Sequence, residues 1–256
     1  MSALRARCPD CRTFTAVAIG PDYQCHRCGR EFAAGLVRVP RAWGRGGEAM
    51  AEAASLAVPY PETAVVEEAT LDDQSAALAR ALPKRPVVLG GCCCAHVGAV
   101  RGLAARDGHH LGLVWIDAHG DLNTPATSPS GNLWGMPLRM LLDDEIVSAE
   151  DTALVGVRSL DPGESAFLEE TGIDDSLDRA LANVDSVYVA LDLDVLDPSE
   201  IDVFVPEPGG PRTGEIEELL RDVSRRASVV GIGVTGLLPA ESNLPAVTRL
   251  LAAAGF

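Results

Sequence analysis

Several short runs in this chain are apolar at almost every position, and that pattern limits the fold more than any other feature of the sequence. Leu111–Asp117 reads Leu-Gly-Leu-Val-Trp-Ile-Asp, and Val187–Leu193 reads Val-Tyr-Val-Ala-Leu-Asp-Leu. A strand with one wet face alternates apolar and polar residues, whereas a strand apolar on both faces must be covered on both. Pro86–Gly91, Thr152–Val157 and Val229–Val234 share the pattern, and Leu36–Pro40 reads as a further short strand. Helical spacing fills gaps between them, over 71–82, 95–106, 215–226 and 244–254. Doubly buried strands alternating with helices predict an α/β fold, a parallel sheet with helices on both sides. In such sheets ligands sit beyond the carboxyl ends of the strands, so the polar residues that follow each apolar run are the ones to inspect.

The chain carries 21 basic against 37 acidic residues, a net charge of −16, which argues against a protein built as a whole to coat nucleic acid or an anionic membrane. The charge is uneven. Residues 1–45 hold eight Arg and three acids, or +5, leaving −21 on the remainder. That basic head contains Cys8-Pro-Asp-Cys11 and Cys25-His-Arg-Cys28, with thirteen residues between the pairs. In a reducing compartment paired Cys-x-x-Cys knuckles read as a metal site. Four thiolates aimed at one point form the tetrahedral set that a structural Zn²⁺ accepts. A zinc-ribbon-like module over residues 1–35 and a second unit over 36–256 are therefore expected. The ribbon's arginines read as a solvated face, with contact to nucleic acid or a protein as the other reading. No apolar run reaches the roughly 18 residues of a membrane span. The first residues lack the apolar stretch of a secretory signal, so the expected location is cytoplasmic.

Two strand ends concentrate metal-ligating groups. Asp117-Ala-His119-Gly-Asp121 places two carboxylates and an imidazole at alternate positions, which in extended chain project to one side. Asp192-Leu-Asp194 does the same after Val-Tyr-Val-Ala-Leu. Such groups are costly to desolvate together without a cation. Five ligands, mostly hard oxygen, suit a pair of divalent cations such as Mn²⁺. Two cations about 3.5–4 Å apart can activate a water at neutral pH.

Asp117-Ala-His-Gly-Asp followed by Leu191-Asp-Leu-Asp-Val-Leu-Asp-Pro198 resembles the arginase/agmatinase ureohydrolase family. The resemblance spans about residues 85–255 and includes Asp121-Leu-Asn123 through Ser130-Gly-Asn132, Val157-Arg158-Ser-Leu-Asp161-Pro-Gly-Glu164 and Pro208-Gly209-Gly210. It implies a three-layer α/β/α sandwich, a dinuclear Mn²⁺ site and hydrolysis of a guanidinium group. Carried over, Asp117 and Asp192 would bridge both metals. Asp121 would complete one shell and could relay the proton of the attacking water, while His119 and Asp194 would serve the other. Asn123, Ser130 and Asn132 match positions that hold a substrate α-carboxylate, and Asp161 and Glu164 match positions near its α-amino group. A small amino-acid-like substrate and a homo-oligomer are the expected partners.

The sequence departs from this family at three places. Gly90-Gly91-Cys92-Cys93-Cys94 stands where the family has Gly-Gly-Asp-His-Ser, so Cys93 replaces a His ligand and, being softer, favours Zn²⁺ or Fe²⁺ over Mn²⁺. His96, about one helical turn on, is an alternative ligand. Trp134 replaces a His associated with proton transfer, and an indole N–H cannot titrate near neutrality. Gly236 stands where the family Glu grips the guanidinium. The expected function is therefore a metal-dependent hydrolase of linear C–N bonds in an amidine or guanidine. The alternatives are a non-catalytic binding or scaffolding protein of the same fold and, less well matched by Asp121 and Asp194, an amide hydrolase of the related deacetylase fold. Cys92 and Cys94 read as small buried apolar residues, Trp115 as core packing and His109-His110 as a solvated turn.

Overall fold

The computed structural model describes residues 4–107 and 110–256; His109 lies outside them, and His110 is exposed. Four short strands come first: β1 (Arg5–Ala6), β2 (Ala16–Ile19), β3 (Asp22–Cys25) and β4 (Glu31–Phe32), paired antiparallel in that order. Their small core consists of Ala6, Ala16, Tyr23 and Phe32 with Cys8 and Cys25. Seven further strands follow: β5 (Gly35–Val39), β6 (Glu62–Val65), β7 (Pro86–Gly90), β8 (Leu111–Ile116), β9 (Thr152–Val155), β10 (Ser186–Asp192) and β11 (Ser228–Thr235). They form one parallel sheet in the order β6-β5-β7-β11-β10-β8-β9.

Helices cover both faces, as the doubly apolar runs require. Along β10 the side chains alternate: Val187, Val189 and Leu191 join a core with α7 (Thr213–Arg226) and α8 (Leu244–Ala253), while Tyr188 and Ala190 join one with α2 (Leu71–Ala81), α3 (Cys94–Asp107) and α4 (Pro137–Asp143). This is the three-layer α/β/α sandwich. On the second face α3 packs unusually close to α2, because a Cβ on Gly98 would lie 2.8 Å from the Ser75 backbone and one on Gly102 2.8 Å from that of Ala79. Three further helices are α1 (Glu48–Ala53), α5 (Pro162–Thr171) and α6 (Leu177–Ala180). The small sheet is joined to the large one where Arg7 and Glu62 exchange backbone hydrogen bonds of 2.8 and 3.0 Å, capping the edge strand β6. Among the described residues no helix is long and apolar enough to cross a membrane.

β7, β11, β10 and β8 are contiguous, and all four run in the same direction. Their carboxyl ends therefore open side by side, and the residues just beyond Gly90, Thr235, Leu191 and Ile116 meet there.

Candidate functional site

Register explains how distant residues come together. β8 and β10 pair up to Ile116 and Leu191, so Asp117 and Asp192 are the next residues on adjacent strands. Asp192 is itself paired with Thr235 of β11. The turn from β7 into α3 carries Cys93 to the same point. A Cβ on Gly91 there would meet the Arg41 carbonyl and the Ala51 backbone, so the chain passes that crossing only without a side chain.

The ligating atoms of Cys93, Asp117 and Asp192 lie within 4.8 Å of one another, and so do those of Asp117, His119 and Asp194; Asp117 belongs to both sets. The Cys93 thiol donates to Asp192 Oδ2 at 2.8 Å and stands 3.8 Å from Asp117 Oδ2. His119 turns Nδ1 toward Asp194 (3.1 Å) and Asp117 (3.4 Å) and Nε2 toward Glu207 (3.4 Å). Main-chain donors fix the carboxylates: His119 N to Asp117 Oδ1, Asp194 N to Asp192 Oδ1 and Ala118 N to Asp194 Oδ1. Asp121 is held at φ +52°, unusual for a residue with a side chain, and its buried Oδ2 has no hydrogen-bond partner.

Burial pushes all four carboxyl groups up, with their mutual repulsion adding to it. Asp192 and Asp194 reach about 6, and Asp121 rises further. Burial alone would lower His119, but the flanking Asp117 and Asp194 outweigh it and push the imidazole up to about 12. A buried nest of acids, one orphan oxygen and a strained backbone is what a cation-binding site looks like without its counter-charge. Carboxylate, imidazole and thiol donors fit divalent first-row metals.

A cavity of about 160 Å³ opens over these groups. Asn123, Ser130, Asp161 and Glu164 line it together with Cys93, Asp117, His119, Asp121, Asp192 and Asp194. Asn132 does not line it; its Oδ1 accepts from Arg45 N at 3.0 Å and ties the two mouth loops together. Asn123 spans Asp161 and Thr127. Glu164 is committed to the main chain, taking Leu122 N on one oxygen and Asp161 N on the other. The lining also has an apolar part: Met50, Trp134 and Val205, with Phe204 edge-on to the indole at 5.9 Å. Gly44 and Gly47 leave the room the indole occupies. Gly236 also lines the cavity, at φ +77°, and a Cβ there would collide with the Asp192 carboxylate.

His96 does not join the ligands. Its nitrogens are taken by Tyr188 OH (3.0 Å) and Thr235 Oγ1 (3.2 Å). Cys92 and Cys94 are buried beside Met50. Trp115 is core, as expected, but its Nε1 also donates to Asp117 Oδ2 at 3.2 Å. Sequence reading missed Thr235, Glu207 and the organising role of Arg158. That guanidinium donates to the Asp194, Gly156, Glu207 and Pro208 carbonyls and so fixes the loop that brings Glu207 to His119. The only hint was the polar residue closing an apolar run in Val234-Thr235.

The four N-terminal cysteines also converge. Cys8 and Cys28 Sγ are 4.0 Å apart and Cys11 and Cys25 Sγ 3.9 Å, with all four sulfurs within 4.8 Å. A tetrahedron with metal–sulfur bonds of about 2.3 Å has edges of about 3.8 Å, so the spacing fits Zn²⁺. The Thr15 hydroxyl beside Cys25 pulls that thiol down to about 6, while burial and the neighbouring thiols push Cys11 up to about 12.

The profile of the arginase family matches residues 46–254, and the chain belongs to that family. The arginase of Staphylococcus aureus (strain COL) is 37% identical over 143 residues, 45% of this chain and 47% of the other. The chain spans about half the length of the first relatives it matches in sequence. Among solved structures, native arginase from Bacillus caldovelox superposes with a TM-score of 0.71 at 24% identity, covering 86% of this chain and 96% of that one. Formimidoylglutamase from Bacillus subtilis gives 0.67 at 19%, covering 86% and 85%. At such identity these superpositions establish the fold.

Proposed function

We propose that the chain is a metal-dependent hydrolase of a linear C–N bond in an amino-acid-like amidine or guanidine, of the ureohydrolase type. The observation that carries this is the convergence of Cys93, Asp117 and Asp192 and of Asp117, His119 and Asp194 into two clusters that share Asp117, beneath a cavity that a partnerless buried oxygen of Asp121 also lines. Asp117, Asp192, Asp121 and Cys93 would hold one cation, and Asp117, Asp192, His119 and Asp194 the other. Mn²⁺ suits the oxygens, and Cys93 tilts its site toward Zn²⁺ or Fe²⁺. Bound there, the cations supply Lewis acidity and make a water acidic enough to attack at neutral pH.

The chain's own residues do the rest. Asp121 Oδ2, with no protein donor on it, is placed to take a proton from the water. Glu207 steadies the outer nitrogen of His119, the usual support for a ligating imidazole. Asn123, Ser130 and Asp161 face the polar end of the substrate, and Trp134 and Met50 keep bulk water from the apolar part of the lining. Glu164 acts by shaping the loop, because both its oxygens bind main chain. In the same reading the four-cysteine cluster holds one structural Zn²⁺, and the chain works as a homo-oligomer in the cytoplasm.

Gly236 and Trp134 favour a second reading, a non-catalytic protein of the same fold, because neither can clamp a guanidinium nor carry a proton. The test is release of urea or ammonia from L-arginine, agmatine, guanidinobutyrate and formiminoglutamate with Mn²⁺, Zn²⁺ or Fe²⁺. Arginine should be cleaved very weakly: the missing clamp is worth about one to two powers of ten, and a lost proton carrier a further 10²–10⁴-fold, approximately. A different linear amidine should be cleaved faster. Silence toward all four selects the second reading.

Metal uptake should depend on pH with a definite sign. Asp192 and Asp194 hold protons up to about pH 6 in the metal-free chain, and a cation must displace them. Affinity should therefore fall between pH 7 and pH 5, as measured by titration of metal into chelated protein. A flat profile would mean that Asp192 and Asp194 hold no protons in this range.

A further inference from the structure

A one-way chain of buried hydrogen bonds runs from the interior of the sandwich to Asp192. Tyr188 on β10, His96 on α3 and Thr235 at the end of β11 are wholly buried. Tyr188 OH and His96 Nδ1 are 3.0 Å apart, His96 Nε2 and Thr235 Oγ1 3.2 Å, and Thr235 Oγ1 and Asp192 Oδ2 3.0 Å. A Cβ on Gly233 would collide with the Tyr188 hydroxyl and crowd the imidazole, so the glycine makes room for both.

The donors can be assigned by elimination. Above about pH 6 Asp192 is ionised, and an ionised carboxylate only accepts, so the Thr235 proton goes to Asp192. The hydroxyl oxygen of Thr235 then accepts from His96 Nε2–H. Burial pulls the imidazole down to about 3, so the ring is neutral and its Nδ1 is bare. That nitrogen accepts from Tyr188 O–H. With the Thr235 hydroxyl directed at Asp192 rather than at the Cys93 sulfur 3.3 Å away, the remaining donors fall into one arrangement, which is how a buried network specifies a geometry.

We infer that Tyr188, His96 and Thr235 are positioning residues that hold Asp192 Oδ2 against Cys93 and so set the cation affinity of the Cys93–Asp117–Asp192 cluster. The inference rests on the metal-site reading above. Asp192 Oδ2 has two donors here, the Cys93 thiol and Thr235. A thiol that ligates a cation gives up its proton, which leaves Thr235 as the one of these two that still holds the oxygen.

The experiment uses the full chain. In the metal-free protein at pH 7.5, ¹⁵N NMR should find His96 as the Nε2–H tautomer; the other tautomer overturns the proposal. Co²⁺ affinity is then measured by chelator competition together with the thiolate-to-cobalt absorption band. Outer partners of a ligand are worth roughly 10–100-fold in affinity, so Thr235→Val should weaken Co²⁺ binding by about that factor and shift the band. Thr235→Ser should restore both, and Tyr188→Phe, two bonds further out, should give a smaller loss in the same direction. Should Thr235→Val not fold, Tyr188→Phe decides. Wild-type affinity and an unmoved band in both variants overturn the proposal alone. A wild-type body that binds no Co²⁺ overturns the metal-site reading and this proposal with it.

Discussion

Asp117→Ala should strip both cations from the body of the protein, while His119→Ala and Asp194→Ala should each empty mainly one. The asymmetry follows from the geometry, because Asp117 belongs to both three-residue clusters, whereas His119 and Asp194 belong to one. Its loss should exceed the approximately 10–100-fold affinity cost of disturbing a ligand's supporting residue. The metal-free variant should remain folded. Burial raises the carboxyl pKa values here, so these ionised groups oppose folding at neutral pH, and removing one relieves its neighbours. Metal content with thermal unfolding separates the two effects. Two metals retained by the purified variant would place the ligands elsewhere, and a collapsed unfolding temperature without metal would make Asp117 a structural residue.

Cys25→Ser should release one zinc per chain and open the N-terminal segment to trypsin at Arg5, Arg7, Arg12, Arg27 and Arg30. The small sheet has only a few buried side chains of its own, and two of them are the cysteines Cys8 and Cys25. A unit that small needs its metal, which in comparable sites supplies apparent free energies of about 10–16 kcal/mol at neutral pH. Because the two sheets meet through Arg7 and Glu62, the large sheet should still unfold cooperatively after the ribbon has opened. A segment 4–34 that resists protease with all zinc removed would refute the ribbon.

The central strands were legible because burial on both faces leaves no polar position within the run, and the turn to polar residues then marks the strand end. The clustered strand-end groups were legible for the same reason, since Asp117, His119, Asp192 and Asp194 are the first polar groups beyond such runs. α1, α4, α5, α6 and β6 were not anticipated. All but α5 are short, and β6 (Glu-Thr-Ala-Val) is a half-exposed edge that carries no doubly apolar signal. α5 was hidden because Asp161-Pro-Gly-Glu164 was read for its charges, whereas the Pro and the Glu bonded back to Asp161 mark the start of a helix. Thr235, His96 and Tyr188 could not be grouped from spacing, since only the register of β10 on β11 and the seat of α3 bring them into line.

Gly236 makes the history of this pocket one-way. Its backbone lies where side chains are disfavoured, and the space a first carbon would need is filled by an Asp192 carboxylate that Cys93, Thr235 and the Asp194 amide hold in place. A single codon change to glutamate would not return a clamp to the cavity; it would first dislodge the Asp192 carboxylate. Selection acting on a descendant of this chain meets a valley at that position, and the nearer routes to a new specificity run through Trp134 and Met50, where side chains already face the cavity.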